Sequence, residues 1–181
     1  MFNFTVKDAI FAALIAVAMN VISFITVPLV TAMPVPGIRN LVVAPFFGLF
    51  MAIAMLKIGK PGTATIVSFL VGIMLVFISP LILAFMLASG AIADIAALLW
   101  RGSYKSPIAV IAICGIYMMV NVWLGIVFGA LFLVENYSLD IFLSQPVAIA
   151  IASALCFALG AAGAAVGTKI STEFMRAGVA Q

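Results

Sequence analysis

The sequence predicts an all-α integral membrane protein, a six-transmembrane-helix bundle with both termini cytoplasmic. Three observations carry that prediction. The chain is 67% hydrophobic and only 7% charged over 181 residues, whereas soluble domains run near 45–50% apolar and roughly 25% charged. Its apolar runs approach the ~20 residues that a helix needs to cross a bilayer. The short turns between them carry cations that sort to one side. These properties exclude a soluble globular domain, a nucleic-acid binder and a disordered chain. They leave no length for a soluble domain, so a single membrane domain is expected over residues 1–181.

The elements follow in order. A signal peptide would show a basic start, a short apolar stretch and a small-residue cleavage site. Here Lys7-Asp8 instead precedes an apolar run from Ala9 to about Val30. A first helix is expected over about 8–30, with Asp8 at the positive end of its dipole. Met33-Pro34-Val35-Pro36-Gly37 ends it, because two prolines and a glycine cannot continue a helix. A second helix is expected over about 40–56, followed by the basic turn Lys57-Ile58-Gly59-Lys60-Pro61-Gly62. The third is expected over about 63–78, and Ser79-Pro80 turns the chain into a fourth over 80–100. The third is short, and charge alone also allows the third and fourth to form one re-entrant hairpin, since the flanking basic turns would still share a side. Arg101-Gly102-Ser103-Tyr104-Lys105-Ser106-Pro107 leads into a fifth helix over about 107–133. The acidic loop Glu135-Asn136-Tyr137-Ser138-Leu139-Asp140 precedes a sixth over about 144–168 and a short amphiphilic tail.

The charges orient this arrangement. Lys7, Lys57, Lys60, Arg101, Lys105, Lys169 and Arg176 share one side; Arg39 stands alone among cations on the other, with Glu135 and Asp140. Basic residues mark the cytoplasmic face, so both termini are expected there.

Chemistry-bearing residues are few. The chain has no histidine, which removes the usual general base near neutral pH and the commonest metal ligand. No paired carboxylates or Ser/His arrangement occurs, and Gly167-Thr168-Lys169 lacks the order and preceding strand of a phosphate loop. The expectation is therefore a protein that is not an enzyme and holds no cofactor or metal. Cys114 and Cys156 lie in apolar runs and read as small hydrophobes. Asp94 is the acid expected inside a span, with a coupling or structural role through Arg101 or Lys105.

The remaining polar residues converge on the outer half of the bundle. Asn20 and Ser23 lie in the first helix, Arg39 and Asn40 open the second, and Asn121 and Trp123 lie in the fifth. Glu135, Asn136 and Tyr137 lie in the loop after it, and Gln145 opens the sixth. Together they predict a substrate pocket lidded by the 1–2 and 5–6 loops. Taken singly, each also reads as a headgroup-level residue, with Trp and Tyr as belt anchors. Small residues at four-residue spacing mark close helix approach. Gly125/Gly129 and Gly163/Gly167 read as internal packing, while Ala9, Ala12, Ala13 and Ala16 could also dock a second membrane protein.

The helix-1 alanines Ala9, Ala13 and Ala16, the segment Lys60-Pro61-Gly62-Thr63-Ala64-Thr65-Ile66-Val67-Ser68, and Gly90-Ala91-Ile92-Ala93-Asp94 followed by the Arg101–Pro107 turn carry a family resemblance. Over nearly its whole length the chain resembles the substrate-binding S component of an energy-coupling factor (ECF) type ABC transporter. The last two segments are similar to the thiamine/hydroxymethylpyrimidine type, and the Tyr104-Lys105-Ser106 turn also resembles the uncharacterised Trep-Strep type. The resemblance implies a multi-pass subunit of a prokaryotic plasma membrane that captures a vitamin or related micronutrient, such as a thiamine precursor. It implies partners: a membrane coupling (T) subunit and two ATPase subunits, with surrounding lipid and no nucleic acid. It places Ala9, Ala13 and Ala16 against the coupling subunit and matches Asp94 to an acidic position. One departure matters. The thiamine type has an acid after the serine of helix 3, whereas Ser68 here precedes Phe69. A cation in a low-dielectric pocket wants a carboxylate or an aromatic face. A neutral ligand, or an anionic one paired with Arg39, therefore stands beside thiamine. The competing readings are a stand-alone small-solute carrier or channel, which would be expected to carry intramembrane acids or internal repeats, and an accessory membrane subunit.

Overall fold

A computed structural model describes residues 4–31, 38–100, 104, 106–132 and 146–176. Six helices follow one another: α1 (Val6–Thr31), α2 (Ile38–Ile58), α3 (Thr63–Leu75), α4 (Pro80–Leu99), α5 (Pro107–Phe132) and α6 (Pro146–Arg176). Five are long and apolar enough to cross a membrane, and the chain is a multi-pass membrane protein. The exception is α3, whose 13 residues span about 20 Å at ~1.5 Å per residue, short of the ~30 Å hydrocarbon layer.

Local chemistry sets the helix starts. Thr5 and Asp8 form a reciprocal capping box: the Thr5 amide donates to Asp8 Oδ2 at 2.8 Å, and the Asp8 amide to Thr5 Oγ1 at 3.3 Å. Pro80, Pro107 and Pro146 open α4, α5 and α6, in the first turn, where a missing amide leaves no intrahelical bond unmade. Gly59 and Gly62 turn the chain into α3 with φ of 63° and 91°, a left-handed geometry that glycine adopts without strain.

Several helix ends differ from the sequence expectation. Helix α3 stops at Leu75 rather than 78, because Val76–Ile78 already belongs to the turn. Helix α6, described over Pro146–Arg176, continues past the expected end at 168; nothing in Lys169–Arg176 breaks it, so the expected tail is helix as far as Arg176. Helix α2 covers Ile38–Ile58 rather than 40–56.

Backbone-to-backbone contact joins α2 to α6. A Cβ placed on Gly163 would lie 1.8 Å from the Pro45 carbonyl oxygen, one on Gly48 2.0 Å from that of Gly160, and one on Gly167 2.4 Å from that of Leu49. Small residues let helices approach this closely in lipid, so Gly163 and Gly167 serve internal packing as expected. Gly125 does not: nothing lies within 4 Å of a Cβ built there. Gly90 seats α4 on α3, its Cβ position lying 2.7 Å from Ser68 Oγ. Helix α3 packs between α1 and α4, which scarcely touch each other among the described residues.

Polar contacts gather three segments at one end. Lys60, in the α2–α3 turn, forms an ion pair with Asp8 of α1 and stands 5.7 Å from the Phe4 ring centroid. Tyr104, in the segment between α4 and α5, reaches back to Asp94. This end thus brings together the start of α1, the α2–α3 turn and Tyr104 of the α4–α5 segment, three of the places that the charge pattern grouped.

Candidate ligand cavity

A cavity of about 290 Å³ lies towards the opposite end of the bundle, at the small end of the range for ligand pockets. Ser23 of α1 and Asn40, Val43 and Phe47 of α2 form one side. Leu75, the last residue of α3, and Ser79 of the following turn lie along the base, with Leu81, Ile82, Phe85 and Met86 of α4. Met118, Asn121, Gly125 and Phe128 of α5 close the remaining side. Helix α3 ends at Leu75 against this space.

A linked polar group runs from the cavity wall into the bundle. Ser68 Oγ donates to the Tyr117 hydroxyl at 3.2 Å. That hydroxyl donates to Met86 Sδ at 3.7 Å, and Asn121 Nδ2 donates to the same sulfur at 3.4 Å. Spacing by four residues puts Tyr117, Asn121 and Gly125 on one face of α5, and the absent Gly125 side chain leaves room above the Asn121 carboxamide. Among the described lining residues none is charged. Aromatic rings, thioethers, two carboxamides and two serine hydroxyls suit an uncharged ring bearing a few hydrogen-bonding groups.

The structure sorts the expected site residues. Asn40 and Asn121 line the cavity. Trp123 does not: two positions on from Asn121, about 200° round the helix, it is exposed on the outside of the bundle. Asn20 is buried at the α1–α3 contact, one turn from Ser23, where its Nδ2 donates to the Ala16 carbonyl at 3.0 Å and to Met74 Sδ at 3.3 Å. Its Oδ1 is buried without a partner. The Arg39 side chain, and Glu135, Asn136, Tyr137 and Gln145 entirely, lie outside the described residues. Phe69, at the departure from the thiamine-type pattern, is exposed, so a side chain there faces away from the cavity. Sequence reasoning missed Phe47, Phe85, Met86, Met118 and Phe128, because one apolar residue among many carries no mark. Ser79 was findable from the Ser-Pro turn that places it at this end.

Asp94 works at the other end. It is buried, and its carboxylate accepts from the Thr65 amide at 2.7 Å, the Thr65 hydroxyl at 2.6 Å, the Ala64 amide at 3.3 Å and the Tyr104 hydroxyl at 2.7 Å. Gly62, the residue preceding α3, has no side chain to cap it, so a carboxylate from α4 satisfies the free amides of the first turn. Arg101 and Lys105, the partners expected for Asp94, lie outside the described residues. Burial, and then the hydrogen bond to this carboxylate, push the Tyr104 phenol well above its ordinary pKa.

The helix-1 alanines divide. Ala9 is exposed and Ala13 half-buried, but Ala16 is fully enclosed with Ala12 inside the bundle. Ala16 therefore cannot face a partner together with the other two. Cys114 and Cys156 are buried free thiols. The chain matches no protein-family profile, no curated protein and no solved structure.

Proposed function

We propose that this chain is the substrate-capture subunit of an ECF-type importer, taking up an uncharged, ring-containing micronutrient such as a hydroxymethylpyrimidine precursor of thiamine. One observation carries the reading: a small cavity, uncharged in its described lining, lies at the end away from the basic turns, with Asn40 and Asn121 among aromatic walls. The positive-inside rule, applied to the basic turns, supports reading that end as extracytoplasmic. Capture is then external, and energy comes from ATP hydrolysis in partner subunits docked on α1. Among the described lining residues a cation such as thiamine would find no carboxylate, only the aromatic faces of Phe47, Phe85 and Phe128, whereas an uncharged ring has no charge to desolvate.

The test has two arms. Native mass spectrometry of the purified chain should detect bound hydroxymethylpyrimidine. Proteoliposomes should import it only when a coupling subunit and two ATPases are present. Replacing the half-buried Ala13 with leucine should abolish import and leave binding intact. Import by the chain alone would make it a stand-alone carrier and overturn the proposal.

A further inference from the structure

A carboxamide has one end that donates and one that accepts, and whatever holds the first decides where the second points. Two asparagines of this bundle are held by sulfur. Asn20 Nδ2 donates to Met74 Sδ at 3.3 Å, and Asn121 Nδ2 donates to Met86 Sδ at 3.4 Å. A thioether has lone pairs and no proton, so it takes the NH2 end of the amide and never its oxygen. The two carboxamides differ in what their oxygens meet. Asn20 Oδ1 is enclosed without a partner. Asn121 Oδ1 also meets no donor among the described residues, yet it is not enclosed. Asn121 as a whole is only 2% exposed and lines the cavity, so the cavity is the space on which its oxygen opens.

The sulfur is itself committed. Ser68 Oγ donates to the Tyr117 hydroxyl at 3.2 Å, so the Tyr117 proton points onward, to Met86 Sδ at 3.7 Å. The Met86 thioether thus accepts from two side chains of α5 that stand about one helical turn apart. Turning the Asn121 carboxamide over would set Oδ1 against Sδ, two acceptors with no proton between them, and forfeit the bond in a buried place. Gly125, one turn further along α5, leaves the oxygen uncovered, since nothing lies within 4 Å of a Cβ built there.

From this geometry we infer that Met86 is a positioning residue of the ligand cavity. Its thioether holds Asn121 with the carbonyl oxygen towards the ligand, and the cavity selects uncharged rings that offer an N–H or O–H donor over rings that offer only an acceptor. The inference rests on the cavity being the ligand site of the proposed function and narrows the ligand class to ring compounds such as aminopyrimidines. It does not depend on coupling to an ATPase.

Isothermal titration of the full chain in nanodiscs with 4-aminopyrimidine and 4-methoxypyrimidine reads the preference, because one scaffold carries a donor or an acceptor at the same position. The native chain should bind the amino ring about tenfold more tightly. Met86→Leu, close in volume, frees the carboxamide to turn its NH2 end to the methoxy oxygen, and the preference should fall to about twofold. Met86→Gln returns an acceptor and should restore it. Met74→Leu makes the same change at the Asn20 pair, outside the cavity lining, and should leave the preference as in the native chain. Thermal melts establish that the variants are folded. Equal binding of the two rings by the native chain, or an unchanged preference in folded Met86→Leu, would overturn the inference and leave the cavity as the ligand site. Binding of neither ring would overturn it together with the proposed ligand. A preference that follows Met86 while ATP-driven import is absent would remove the importer reading and keep the role of Met86.

Discussion

Asp94 Oδ1 accepts the Tyr104 hydroxyl at 2.7 Å while its other oxygen holds the Thr65 amide at the start of α3. One carboxylate thus joins α4, the segment leading to α5 and the first turn of α3. Asp94→Ala would remove the cap and leave the Thr65 and Tyr104 hydroxyls unbonded in a buried place. The expected loss is about 3 kcal/mol, read as a lower denaturation midpoint in detergent. Asp94→Asn, which keeps one acceptor, should lose about half as much.

Tyr104 gives this junction a pH dependence. Its phenol titrates above the ordinary tyrosine value in the folded state, through burial first and the Asp94 hydrogen bond second. The folded protein therefore holds that proton more tightly than the unfolded chain. The associated stability is complete below about pH 10, the unfolded value, and falls as pH rises further. Unfolding midpoints measured from pH 8 to 11 should decline at the alkaline end, and Tyr104→Phe should flatten that part of the decline.

The glycines make opposite predictions at two positions. Gly163→Ala would set a methyl 1.8 Å from the Pro45 carbonyl oxygen. Either α2 and α6 separate or the backbone distorts, at a cost of about 2 kcal/mol or more. Gly125→Ala meets nothing within 4 Å and removes a poor helix former, so it should be neutral or stabilising by up to about 1 kcal/mol. Parallel thermal melts decide both.

Asn121→Leu should weaken binding of hydroxymethylpyrimidine about tenfold, the equivalent of ~1.4 kcal/mol, through loss of the carboxamide. Trp123→Phe should leave it unchanged, since Trp123 lies on the outside of the bundle. Isothermal titration of both variants measures the difference. A larger loss for Trp123→Phe would put the ligand elsewhere.

The ends of the helices show how far the sequence could be read. Six helices were legible because each apolar run stops at prolines, glycines or charges. The end of α3 was not, because hydropathy does not change from Leu75 through Ile78 and only the Ser79-Pro80 pair marks a stop. The same blindness hid most of the cavity. Asn40 and Asn121 stand out in an apolar chain, whereas Phe47 and Met118 look like every other apolar residue. Asp94 was legible as an exceptional acid in a span. Its partner Thr65 was not, because 29 residues separate them and neither charge nor motif links them. The alanines of α1 share a spacing, but helical rotation decides which faces inward, and it turns Ala16 into the core and Ala9 out of it.

The glycine seam between α2 and α6 also fixes which parts can move. Side chains that interdigitate can change rotamer and slide; two backbones in direct contact have no such adjustment. Helices α2 and α6 must travel as one body, carrying the Asn40, Val43 and Phe47 wall of the cavity with them. Helix α3 is held differently, through side chains: Asp94 caps its first turn, and Asn20 Nδ2 of α1 donates to Met74 Sδ near its end.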